Sequence, residues 1–93
     1  MVLLDDVKVA LRVTSDAFDP EIEALIAACQ QDMRVRGLGM AVDGDDPLAK
    51  AAVLMYCKAH FGYDNDEAAR FDESYRSIVV TMLNHPTTYG GAE

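Results

Sequence analysis

Hydrophobic positions along this chain recur at helical spacing in four stretches, and no stretch alternates convincingly as a strand would. The first runs from Leu4 to Arg12, with Leu4, Val7 and Leu11 at i, i+3 and i+7. Asp5 and Asp6 lie near its amino end, where negative charge suits the helix dipole. Thr14 to Phe18 reads as a polar turn. The second stretch is the clearest. Asp19 is expected as N-cap and Pro20 as the first helical residue, where a missing N–H costs nothing. Ile22, Leu25, Ile26, Cys29 and Met33 then form one stripe about 80° wide, with Glu23, Gln30, Gln31 and Arg34 outside it. Gly37 and Gly39 supply the stop, since glycine readily takes the left-handed conformation that ends helices.

The third stretch opens on Asp46-Pro47, as the second does on Asp19-Pro20, after the loop Met40–Asp46. From Leu48 to Phe61 only Lys50, Lys58 and His60 are strongly polar. Taking Lys50 as the origin, Lys58 falls at about 80°, yet Leu54, Cys57 and Phe61 fall at about 40°, −20° and 20° on that same side. The apolar surface therefore extends almost all round. Such a helix is buried on most sides, either centrally in a bundle or partly against another chain. Three short neighbours are expected to leave part of it uncovered, which assigns a share to self-association. Leu54, Cys57 and Phe61, with Val80, are the candidate self-association residues.

Gly62 is expected to end that helix and Tyr63-Asp64-Asn65-Asp66 to form the next turn. A last helix begins near Asp66 or Asp72 and runs to about Asn84. Phe71, Tyr75, Ile78, Val79 and Met82 form its stripe, with Val80 off the face. His85-Pro86 stops it, because the residue before proline disfavours helical geometry. The tail 86–93 is expected to be flexible in an isolated subunit. The fold class is all-α: one domain over 1–93, a small bundle of about four helices joined by short loops.

Composition agrees with a folded domain, 51% of the residues being hydrophobic and 26% charged. A chain of 93 residues buries only about 60–65% of the surface it exposes unfolded, so monomer stability is limited. Sixteen acids against eight bases give a formal net charge of −8, spread along the chain with no basic stripe. Gripping a nucleic-acid backbone by charge neutralisation is thereby disfavoured. The acidic surface reads first as a solubility device, and alternatively as a surface that repels DNA, as the lining of a DNA-conducting channel would. The amino end lacks the basic flank and long apolar core of a signal peptide. No apolar run reaches the roughly 20 residues that span a bilayer, so no membrane partner is expected.

Site chemistry is sparse. Cys29 and Cys57 lack Cys-x-x-Cys spacing and read as buried reduced thiols, which suits a cytoplasmic origin. An EF-hand loop from Asp43 would place Leu48 and Leu54 where Gly and Glu are needed; one from Asp64 places Ala69 and Tyr75 there. Both loops read as solvent-exposed turns. His60 and His85 have no companion ligand at helical spacing, so no metal and no cofactor is expected. Cys57 and His60, at i and i+3, form a conceivable nucleophilic pair without an orienting group, oxyanion hole or pocket. A helix-turn-helix reader would present Asp19-Pro20-Glu21-Ile22-Glu23 to DNA, which repels it. The expectation is a non-enzymatic protein.

The order and spacing of these elements resemble the head-tail connector family of tailed bacteriophages and prophages, whose members are also described as adaptor or DNA-packaging proteins. The residues that carry the likeness are Leu4-Asp5-Asp6-Val7-Lys8-Val9-Ala10-Leu11-Arg12-Val13, then Asp19-Pro20-Glu21-Ile22-Glu23-Ala24-Leu25-Ile26-Ala27-Ala28. Asp46-Pro47-Leu48-Ala49-Lys50-Ala51-Ala52-Val53-Leu54 resembles the family's third-helix opening, and Phe61-Gly62-Tyr63-Asp64-Asn65-Asp66-Glu67 its end. Asp66 stands where many relatives carry arginine. Met82-Leu83-Asn84-His85-Pro86 resembles the usual close, although Thr87-Thr88-Tyr89 lacks the family's arginine before the last aromatic. The resemblance implies one subunit of a homo-oligomeric ring, dodecameric in the particle, made in the bacterial cytoplasm and placed at the virion head-tail junction. Its implied partners are the portal protein, a downstream stopper or tail-completion protein, and DNA as non-specific cargo through the lumen. It also implies a portal-docking segment at Asn84, His85, Pro86, Thr87, Thr88 and Tyr89. The rival reading is a small acidic adaptor or antitoxin-like regulator that binds one protein partner.

Overall fold

The computed structural model describes residues 3–38, 47–61 and 66–85, and most of these are helical. Helix α1 spans Leu3–Leu11, α2 Asp19–Val35, α3 Pro47–His60 and α4 Ala68–Leu83. A 3-10 turn, Asp16–Phe18, leads into α2. The expected stop signals at Gly39 and Gly62, the Asp46 cap, the turn residues Tyr63, Asp64 and Asn65, and the tail 86–93 lie outside the described residues.

Helix α3 is the axis of the bundle. It packs along α4 most extensively and also against α2 and α1, while α1 and α2 touch each other. Ala49, Ala52, Val53 and Cys57 of α3 are fully buried. Only Pro47 and His60, at its two ends, are exposed. Leu48, Leu54, Met55 and Tyr56 stay half-buried, so the three neighbours cover α3 on most sides and leave part of its apolar surface accessible. Ala49 and Ala52, fully buried, are small enough for the neighbouring helices to approach α3 closely.

The other helices contribute one face each. The α2 stripe is confirmed, with Ile22, Ile26, Cys29 and Met33 buried and Leu25 half-buried. Helix α4 buries Tyr75, Val79 and Met82, and α1 buries Val7. Each fully buried aliphatic side chain of this size contributes roughly 1.5–3 kcal/mol relative to exposure.

Two helix ends share one hydrogen-bond pattern. At the end of α2, Leu38 N–H donates to Met33 C=O at 2.9 Å and Gly37 N–H to Arg34 C=O at 3.0 Å. Gly37 takes φ +105° there, and Leu38 folds back into the core. This is the Schellman arrangement, and glycine at its pivot matches the sequence signal. At the end of α1, Val13 N–H donates to Lys8 C=O at 2.9 Å and Arg12 N–H to Val9 C=O at 3.1 Å. The pivot is now Arg12, at φ +61°, where no glycine announced it.

The start of α2 departs from expectation. Asp19 lies inside the helix, and the position before it is Phe18, which gives no side-chain cap. The Asp19 carboxylate instead meets Lys8 Nζ of α1 at 2.8 Å, and Asp16 meets the same amine at 2.8 Å. An ion pair to a neighbouring helix has outcompeted the local cap. Ser15 takes the capping role one turn earlier, its Oγ accepting from Ala17 N–H at 3.0 Å. The polar turn thus contains a short helix, and its last residue, Phe18, is aromatic rather than polar.

Candidate assembly surface

No group of three or more His, Cys, Asp or Glu side chains among the described residues could hold a metal ion. No helix is long and apolar enough to cross a membrane among them either. Cys29 and Cys57 are free and fully buried, and burial pushes both thiols up to about 12. A thiol held so far from its thiolate is a poor nucleophile at neutral pH. His60 does not activate it: the imidazole is exposed and lies against the Tyr56 ring, with centroids 4.4 Å apart.

The four candidate self-association residues have different fates. Val80 is 55% exposed on the outer side of α4, and Leu83, three residues on, is 40% exposed. Leu54 is half-buried. Phe61 is half-buried beneath Phe18, with the rings edge to face at 5.6 Å. Such an aromatic pair adds about 0.5–1.5 kcal/mol beyond its area burial. Cys57 is enclosed by its own chain and presents nothing to a neighbour. The α3 residues were singled out by counting apolar positions round one helix, which cannot distinguish neighbours within the chain from neighbours in another chain. Val9, Phe18 and Val35 are exposed apolar side chains that the sequence pattern did not single out. Val9 and Val35 lie off the buried stripes of α1 and α2, so helical periodicity carries their signal once the stripe is known; Phe18, in the 3-10 turn, has no such signal.

Asn84 and His85, the first two residues of the expected docking segment, are exposed just past α4. Asn84 N–H donates back to Val80 C=O at 3.0 Å, and His85 N–H to Met82 C=O at 3.0 Å. Pro86, Thr87, Thr88 and Tyr89 lie outside the described residues.

Positive charge is heavily engaged. Lys8 serves Asp16 and Asp19, Lys50 meets Asp6 at 3.5 Å, and Arg36 meets Asp32 at 2.9 Å. Arg76 pairs with Asp72 at 3.1 Å, and Arg70 with Glu67. Hydrogen bonds from Lys8, above all, hold the Asp16 carboxyl below its usual range. The same two carboxylates raise the Lys8 amine. With these bases already paired, the surplus of acids over bases defines the outer field, and exposed Glu21, Glu23 and Glu73 belong to it. Surface pairs of this kind contribute little to stability individually. Their collective effect here is to leave no cationic track for a phosphate backbone among the described residues.

A partly buried polar contact that sequence reasoning missed joins α4 to α2. The Tyr75 hydroxyl donates to Asp32 Oδ2 at 2.6 Å, and the Arg36 guanidinium meets the same oxygen. Tyr75 is only 3% exposed, and its ring lies edge-on to Tyr56 at 5.2 Å. Burial, followed by the bond to Asp32, raises the Tyr75 phenol well above its ordinary range. No sequence signal links positions 43 residues apart.

Comparison with protein families matches residues 3–88, nearly the whole chain, to the family described as phage connector protein. Comparison with curated proteins returned no match, and comparison with solved structures returned none.

Proposed function

Since this chain belongs to the phage connector protein family, a structural family whose members associate with other virion proteins, we propose that it is one subunit of a ring at the head-tail junction. In this reading the ring docks on the portal, extends the DNA channel and offers a platform to the next connector or tail protein. The family match over residues 3–88 carries the proposal. Two features of the subunit support it. Its bases Lys8, Arg36, Lys50, Arg70 and Arg76 are paired with its own acids and the formal net charge is −8, so DNA passing a lumen would not adhere. Its α4 presents Val80 and Leu83 to solvent immediately before the segment 84–89, so apolar contact and docking tail are continuous.

Head-to-tail contacts between identical subunits close into a ring, whereas a regulatory binder is more often monomeric or two-fold. Light scattering and native mass spectrometry over a concentration series, with and without portal protein, separate these outcomes. A closed ring, free or seated on portal in negative-stain images, is expected. Val80→Asp should weaken that assembly while leaving the helical circular dichroism unchanged. A species that stays monomeric or dimeric at high concentration, also with portal present, overturns the reading in favour of the adaptor.

A further inference from the structure

Helix α4 is held to the rest of the molecule unevenly. It packs along α3, and no comparable helix packing joins it to α1 or α2. Yet its central tyrosine reaches past α3 and ends on α2. Tyr75 O–H donates to Asp32 Oδ2 at 2.6 Å, and Arg36 Nε, one turn further along α2, donates to that oxygen at 2.9 Å. The aromatic ring is buried while the acceptor is only half-buried, so the bond lies at the edge of the core. A short hydrogen bond to a charged acceptor there is worth more than a neutral one in water. We propose that Tyr75, Asp32 and Arg36 form a latch that sets α4 against α2, and that its release opens α4 as a unit while α1, α2 and α3 remain folded.

The architecture makes this specific. A helix packed against a single neighbour can part from it without separating the other helices from one another, so its opening is local and costs less than the global transition. Helix α3 packs against α1, α2 and α4, and α2 packs against both α1 and α3. Helix α4 has α3 and the latch. Arg36 acts through Asp32: its guanidinium, 2.9 Å from Oδ2, holds the carboxylate in place at the edge of the core. Val80, Leu83 and the start of the tail at Asn84 ride on α4, so the latch fixes where they are presented. This inference concerns the isolated subunit and does not require the ring.

Hydrogen exchange of the full chain, resolved to individual helices, tests it. Tyr75→Phe keeps the ring and removes the donor. It should accelerate exchange across Ala68–Leu83 by about 10-fold or more, with α1 and α2 amides unchanged. Asp32→Asn retains an acceptor oxygen but loses the charge and the Arg36 pair. It should give a smaller acceleration in the same helix, and it reads the latch even if the core substitution impairs folding. Ser77→Ala, which alters an exposed side chain of α4 outside the latch, should leave α4 exchange near wild type. Acceleration shared equally by all four helices, or none in α4, overturns the proposal.

Discussion

Helices α2 and α3 both open beside a proline, yet they relate to the fold in opposite ways. Helix α2 carries one buried stripe and leaves Glu23, Ala24, Ala27, Ala28 and Gln31 to solvent. Helix α3 is apolar nearly all round and leaves only its ends exposed. An all-round apolar helix in a small bundle therefore marks the centre of the subunit. It does not by itself mark the contact between subunits. The exposed apolar side chains instead sit on elements with one buried face: Val9 on α1, Val35 on α2, Val80 and Leu83 on α4.

The largest test of that contrast places a charge on each helix. Val53→Asp buries a carboxylate at a fully enclosed site of α3 and should cost more than about 4 kcal/mol, enough to unfold a domain of this size. Ala27→Glu makes a comparable change on the outer side of α2 and should shift stability by no more than about 0.5 kcal/mol. Urea unfolding followed by circular dichroism compares the two. Similar losses from both would mean that α2 is covered in the isolated protein.

The two helices also share an alkaline weakness. Cys29 on α2 and Cys57 on α3 ionise near 12 when folded, against roughly 8.5 in an unfolded chain. Between those values the folded state keeps protons that the unfolded state sheds, so stability declines as pH rises. Tyr56 and Tyr75 are raised as well and add in the same direction. The Lys8 amine, raised by its two carboxylates, contributes below its unfolded value and loses that contribution as the pH climbs through the folded one. The urea midpoint should hold up to about pH 8.5 and fall steadily above it. A midpoint that is level to pH 10.5 would show that the thiols are not sequestered. At neutral pH both thiols should react with a disulfide reagent only on unfolding.

Smaller effects come from the paired helix ends. Gly37→Ala meets no steric obstacle, nothing lying within 4 Å of the added carbon, so its cost is the φ of +105° alone. About 1 kcal/mol is expected. Arg12→Gly should do the reverse at the matching pivot of α1, stabilising by up to about 1 kcal/mol. Thermal melts of the two variants should move in opposite directions. Movement in the same direction would mean that Arg12 holds its place through its side chain.

The four helices, the buried stripes of α2 and α4, the Gly37 stop and the acidic balance were all legible in the sequence. They depend on local spacing, on glycine and proline, and on net charge, which need no knowledge of the neighbours. Asp19 as a cap, Cys57 as a contact and the unanticipated ring contact of Phe18 share one reason. Whether a side chain caps, pairs or is buried depends on which helix lies beside it, and Lys8, α3's three neighbours and Phe61 are brought there by the fold. The Tyr75–Asp32 bond shows the same limit most plainly, since only the packing of α4 on α3 carries that hydroxyl to α2. What the chain determines by itself is where helices form and which face of each is apolar. Which apolar faces are used up inside the subunit, and which remain for a partner, is decided by how the helices pack.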